Sequence, residues 1–158
     1  MGRRLQCVLS GLGFLAVALA VGLKVMSRGG TAPVRPESVA SLPGCPDSPN
    51  CVSSRPGEDA VHGLAPLVYS GDAAVALGRL KQVAVAEGGK LVRVHGGYMH
   101  FEFRSRLFHF VDDVEFLLGR EPGRIEVRSA SRSGYSDLGA NRRRVERLRR
   151  RFEEAMER

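Results

Sequence analysis

Phe110–Ser131 reads FVDDVEFLLGREPGRIEVRSAS. Apolar side chains recur at every second position in both halves, through Val114, Phe116 and Leu118 and then Ile125 and Val127. A period of two is the signature of a strand with one face on a core. The intervening GREPG is turn chemistry. Pairing Leu118 with Ile125 sets Phe116 against Val127, Val114 against Ser129 and Asp112 against Ser131. On the other face it brings Glu115 opposite Arg128, a pair of opposite charge, and Asp113 opposite Ala130. A slip of one residue would send every apolar side chain to the wrong face, so this register is specified by burial.

The preceding stretch, KLVRVHGGYMHFEFRS (90–105), reads as a second hairpin, because Gly96-Gly97 separates two alternating runs. Pairing His95 with Tyr98 places Val94 opposite Met99 and Val92 opposite Phe101, on one face with Phe103. Arg93, His100, Glu102 and Arg104 take the other. Helices flank the two hairpins. Asp72 is a candidate N-cap and Gly88-Gly89 a stop for a helix with the stripe Ala73, Ala76, Leu77, Leu80, Val83 and Ala84. From about Asp137 to Met156, Val145, Leu148, Phe152 and Ala155 form a second stripe. The expected fold is α+β, a four-stranded antiparallel sheet with two helices packed on one face.

The termini differ in character from this body. Residues 1–35 carry a charge of +5, residues 139–158 carry +4, and the segment between them −2. A nucleic-acid-binding domain usually builds its basic face into the fold. Here the excess flanks an apolar segment and lies along one helix, so nucleic acid is not an expected partner. Val8–Met26, VLSGLGFLAVALAVGLKVM, is long enough to cross a bilayer. A cleaved signal is the competing reading, from the basic MGRR start and Ala18-Leu19-Ala20. The apolar run continues past Ala20 through Leu23, which favours an uncleaved anchor. Basic residues on both sides of the segment leave its orientation open. Residues 1–26 are thus read as a transmembrane anchor, 27–44 as a flexible Gly/Pro/Ser-rich linker and 45–158 as one domain. Cys45 and Cys51 bracket a Pro-rich loop and are expected to form a disulfide, which implies an extracytoplasmic setting. The expected location is the cytoplasmic membrane, single-pass, with the folded domain on the periplasmic side.

Three motifs are distinctive: CPDSPNCVSS (45–54), FVDDVEF (110–116) and RSASRSGYSDLGANR (128–142). In this order they resemble domain-of-unknown-function family 1499, over about residues 43–156. The resemblance implies an extracytoplasmic domain, since the family includes bacterial envelope and plastid proteins. It implies no activity and no catalytic residue.

The third motif carries the site expectation. A polar turn feeding a helix start places hydroxyls, guanidinium groups and free backbone N–H groups together, a donor set suited to an anion. Asp112, Asp113, Ser129, Ser131, Arg132, Tyr135, Asn141 and Arg142 are the candidate ligand-binding residues. The partner would be an anionic small molecule or a carboxylate-bearing envelope polymer. The same residues also suit a purely structural network, in which Ser136 or Asp137 caps the helix and Arg132 pairs with Asp112 or Asp113. Two alternatives stand beside the non-enzymatic binding module. One is a hydrolase using Asp113 or Glu115 as acid or base. The other is anionic-lipid binding by the basic terminal helix. His62, His95, His100 and His109 show no metal-ligand spacing, and no metal, cofactor or catalytic residue is assigned.

Overall fold

In a computed structural model, residues 39–105 and 110–158 are described. The alternation around GREPG produces two strands of eight residues, here β5 (Val111–Leu118) and β6 (Arg124–Ser131). Their register is the one burial dictates, from Asp112↔Ser131 to Leu118↔Ile125. Gly119 N donates to Arg124 O at 2.9 Å and closes the loop. Before them lie β3 (Lys90–His95) and β4 (Tyr98–Arg104). Both glycines of their two-residue turn have positive φ, 53° and 86°, the requirement of a type I′ turn.

The first hairpin departs from a simple register. His95↔Tyr98 and Val94↔Met99 pair as expected, but Val92 is bulged out and Leu91 meets Phe101. Leu91, not Val92, therefore packs against the core, and Val92 and Val94 are exposed. β3 is an edge strand, and a bulge slips the alternation beyond it by one residue. The sheet also has six strands rather than four. β1 (Cys51–Ser53) and β2 (Leu67–Val68) both pair with the outer edge of β6. Three and two residues are too short to display a period.

Two helices cover one face. In α1 (Ala73–Ala86) Asp72 Oδ1 accepts from Val75 N at 2.9 Å, and Ala76, Leu80 and Ala84 are buried. In α2 (Ala140–Met156) Val145, Leu148 and Phe152 are fully buried against Phe101, Val114, Phe116, Ile125 and Val127. Phe101 and Phe116 meet edge to face at 6.0 Å. α2 begins three residues later than the stripe suggests. Leu138 and Gly139 are left-handed, with φ of 53° and 78°. The Asp137 carboxylate accepts from Gly139 N and Asn141 N and holds this turn.

Cys45 and Cys51 form a disulfide, with Cα atoms 5.6 Å apart. Closing so short a ring removes little chain entropy. Cys45→Ser/Cys51→Ser is expected to lower the unfolding free energy by about 2 kcal/mol in urea titration. Leu42, within the stretch read as linker, is buried against Tyr98 and Leu117. The apolar segment Val8–Met26 lies outside the described residues. Among those described, no helix is long and apolar enough to cross a membrane.

Candidate functional site

Successive side chains of a strand point to opposite faces, so Asp112 and Asp113 organise two separate networks. Asp112 faces the helices. Ser131 Oγ donates to its Oδ1 at 2.5 Å, and Arg144, from the second turn of α2, pairs with its other oxygen. The Arg144 guanidinium sits 5.0 Å from the centre of the Phe103 ring and donates to Asn141 Oδ1 at 2.6 Å. Asn141 is fully buried. Its Oδ1 also accepts from Ser129 Oγ, and its Nδ2 donates to Asn50 O at 2.9 Å and Ser131 Oγ at 3.0 Å. One amide thus ties α2 to β6 and to the disulfide loop.

Asp113 faces away from the helices. Arg132, one residue beyond β6, grips it bidentately: Nε donates to Oδ2 at 2.8 Å and Nη2 to Oδ1 at 2.7 Å. Arg132 Nη2 also pairs with Glu102 Oε1 at 2.5 Å, and His100 Nε2 lies 2.6 Å from Asp113 Oδ1. Two residues along the strand, on the same face, Glu115 is 0% exposed. Tyr98 Oη donates to it at 2.7 Å and Arg128 Nη1 reaches it at 3.2 Å. The cross-strand pairing of Glu115 with Arg128 thus forms within a buried polar layer on the helix-free face.

Burial disfavours the charged Asp113, but hydrogen bonds from Arg132 and His100 outweigh it and hold its carboxyl below the ordinary aspartate range. Burial opposes ionisation of Glu102 as well, and Arg132 and Arg104 overcome it in the same direction. Arg132 is correspondingly held above the usual arginine value, chiefly by Asp113. Carboxyls depressed in the folded state contribute stability that is complete above their unfolded values. That contribution is lost as pH falls through the lower folded values. Urea midpoints are expected to be flat from pH 7 to about 5 and to fall steeply below about 4. Arg132→Ala should flatten that acid limb.

The eight candidate residues therefore do not converge on one point. Asp112, Ser129, Ser131 and Asn141 share the helix-side network, and Asp113 and Arg132 share the other. Arg142 donates to Val61 O and Gly63 O at 2.9 and 3.0 Å and fastens the loop before β2. Tyr135 is 76% exposed. His100, Glu102, Tyr98, Asn50 and Arg144 belong to these networks and were not among the candidates. The polar alternation of β4 carries the first two, and continuing the pairing into β5 would have joined them to Asp113.

Two buried polar atoms among the described residues have no partner, Arg128 Nε and Ser133 Oγ. Each is a donor that a bound water would satisfy. No cluster of three or more His, Cys, Asp or Glu suited to a metal ion occurs among the described residues. Two cavities of about 480–490 Å³ lie elsewhere, one between the helices and one beside the β5–β6 loop, and neither is lined by Asp113 or Glu115.

A family model described as a protein of unknown function, DUF1499, matches residues 41–152. The chain belongs to the DUF1499 family. The match confirms the resemblance carried by the three motifs. Comparison with curated proteins and with solved structures found no match. Within the DUF1499 span lie all six strands, α1, both polar networks, and α2 as far as Phe152.

Proposed function

We propose that this DUF1499 chain is a membrane-anchored protein of the cell envelope, with its folded domain on the periplasmic side. In this reading the domain is a non-enzymatic binding module for an anionic or carboxylate-bearing partner. The observation that carries it is how the arginines divide. Arg132 and Arg144 point inward and are neutralised by Glu102, Asp113 and Asp112. Arg143, Arg147, Arg150 and Arg151 are exposed along the outer side of α2, and the carboxylates that approach them do so more loosely, Glu87 at 3.7 Å from Arg147 and 3.5 Å from Arg151, and Glu154 at 3.4 Å from Arg151. An incoming anion would meet the outer set, while the inner set would have to give up carboxylates to receive one. The binding surface is therefore the turn after β6 together with the exposed side of α2 from Arg143 to Arg151. Binding of a fluorescent polyglutamate to the full chain in detergent micelles tests this by anisotropy. Affinity should fall steeply with salt, and Arg143→Gln/Arg147→Gln/Arg150→Gln should weaken it at least about tenfold. Equal affinity in the triple variant would sink the reading.

A second reading makes Asp113 or Glu115 the acid or base of a hydrolase. One observation favours it: His100 and Asp113 form a close, buried pair. Against it, Asp113 is held ionised by Arg132, which removes the proton a general acid must give. Its test is a pH–rate profile that disappears in Asp113→Asn.

A further inference from the structure

Leu138 is 85% exposed, and Tyr135, three residues earlier, 76%. Large apolar side chains stand out of a folded surface at a cost in hydration. Leu138 also has a left-handed backbone, with φ of 53°, which leucine rarely adopts. The turn is held in this form by Ser136 Oγ accepting from Leu138 N, by the two Asp137 contacts, and by Arg143 Nη1 donating to Leu138 O at 2.8 Å. The Asp137 carboxylate is thereby turned toward the helix start. Arg143 links the apolar tip to the basic stripe, and Arg147 Nη1 donates in turn to Arg143 O. The charge along α2 is uneven. Exposed arginines run from Arg143 to Arg151, with Arg147 and Arg151 3.7 and 3.5 Å from Glu87, while Glu153, Glu154 and Glu157 follow. Two exposed apolar side chains, with the Arg143 guanidinium beside Leu138 and further exposed arginines along the helix that follows, match the boundary of an anionic bilayer, where amphipathic side chains settle and phosphates attract arginine.

We propose that the Tyr135–Leu138 tip inserts into the headgroup region of an anionic lipid membrane while Arg143, Arg147 and Arg150 engage lipid phosphates. This rests on the binding reading above and names its partner as the membrane that anchors the chain. The tether permits it. Val39 and Leu42 pack at the Tyr98–Leu117 end of the sheet, and the tip lies at the other end, roughly 25 Å away by strand length. Residues 27–38 span up to about 40 Å when extended, so the chain can enter at one end while the other touches lipid.

The protein contains no tryptophan, so one introduced indole is an unambiguous depth probe. Tyr135→Trp, Leu138→Trp and Val68→Trp would each be made in the full chain and reconstituted into phosphatidylcholine vesicles, with and without phosphatidylglycerol. Val68 is exposed and pairs with the far end of β6, so it reports the opposite end of the domain. Melting temperatures close to that of the parent establish that each probe is folded. With phosphatidylglycerol, emission at positions 135 and 138 should shift to the blue and be quenched severalfold more by brominated lipid than at position 68. Adding Arg143→Gln/Arg147→Gln/Arg150→Gln should remove the difference. Equal quenching at all three positions overturns the proposal. If the tip probes then respond to soluble polyglutamate in micelles, lipid is the wrong partner and the binding reading survives. If they respond to neither, both readings fail.

Discussion

Arg132→Ala is expected to lower the free energy of unfolding by about 3–5 kcal/mol, the range for removing one partner of a buried ion pair. Arg132 is 11% exposed and supplies hydrogen bonds to both Asp113 oxygens and to Glu102. Without it, two carboxylates remain in a largely dry layer, with His100 beside Asp113 and the exposed Arg104 beside Glu102. Most of the loss is the cost of those stranded charges rather than the worth of the pair. Removing both sides should therefore be milder than the sum: Arg132→Leu/Asp113→Leu should recover part of the deficit relative to the two single variants. Chemical denaturation of the four proteins measures this. A loss below about 1 kcal/mol in Arg132→Ala would mean that the layer is wet and the guanidinium accessible to ligands.

Asn141→Leu is the second large effect, expected at about 3 kcal/mol. Leucine keeps the volume but satisfies none of the groups Asn141 serves. Ser129 Oγ loses its acceptor, Arg144 loses one acceptor while keeping Asp112, and Asn50 O loses one donor while keeping Ser131 N, around a fully buried Asn141. A stranded buried polar group costs about 1–3 kcal/mol, and the partners that remain keep the total below a full sum over the three. Asn50 connects directly to the disulfide loop, so the variant should also expose the Cys45–Cys51 bridge to reductant more readily. Faster reduction by dithiothreitol, followed by intact mass, is the accompanying readout.

The β5–β6 register was fully legible because two apolar faces and a short loop leave one solution. The β4–β5 pairing was not, since no tight turn links those strands, and with it went the link from His100 and Glu102 to Asp113. Val92 was misplaced because an edge strand tolerates a bulge that alternation cannot reveal. Arg144 is hidden for a different reason. In Arg142-Arg143-Arg144 the three side chains look alike, yet helical phase sends Arg142 to the loop before β2, Arg143 to the turn and Arg144 into the sheet. The separation of Asp112 from Asp113 onto opposite faces follows from strand geometry alone. That alternation divides a single polar motif into two networks.

The inner arginines hold the fold, and in the proposed function the outer ones meet the partner. Stability and polyglutamate binding measured side by side in Arg144→Ala and in Arg143→Gln/Arg147→Gln/Arg150→Gln separate these two roles. A melting temperature well below the parent is expected for the first, with binding retained while the protein is folded. For the second, a melting temperature close to the parent and loss of binding are expected. A stable Arg144→Ala protein that no longer binds, or a triple variant that binds as well as the parent, would contradict this division.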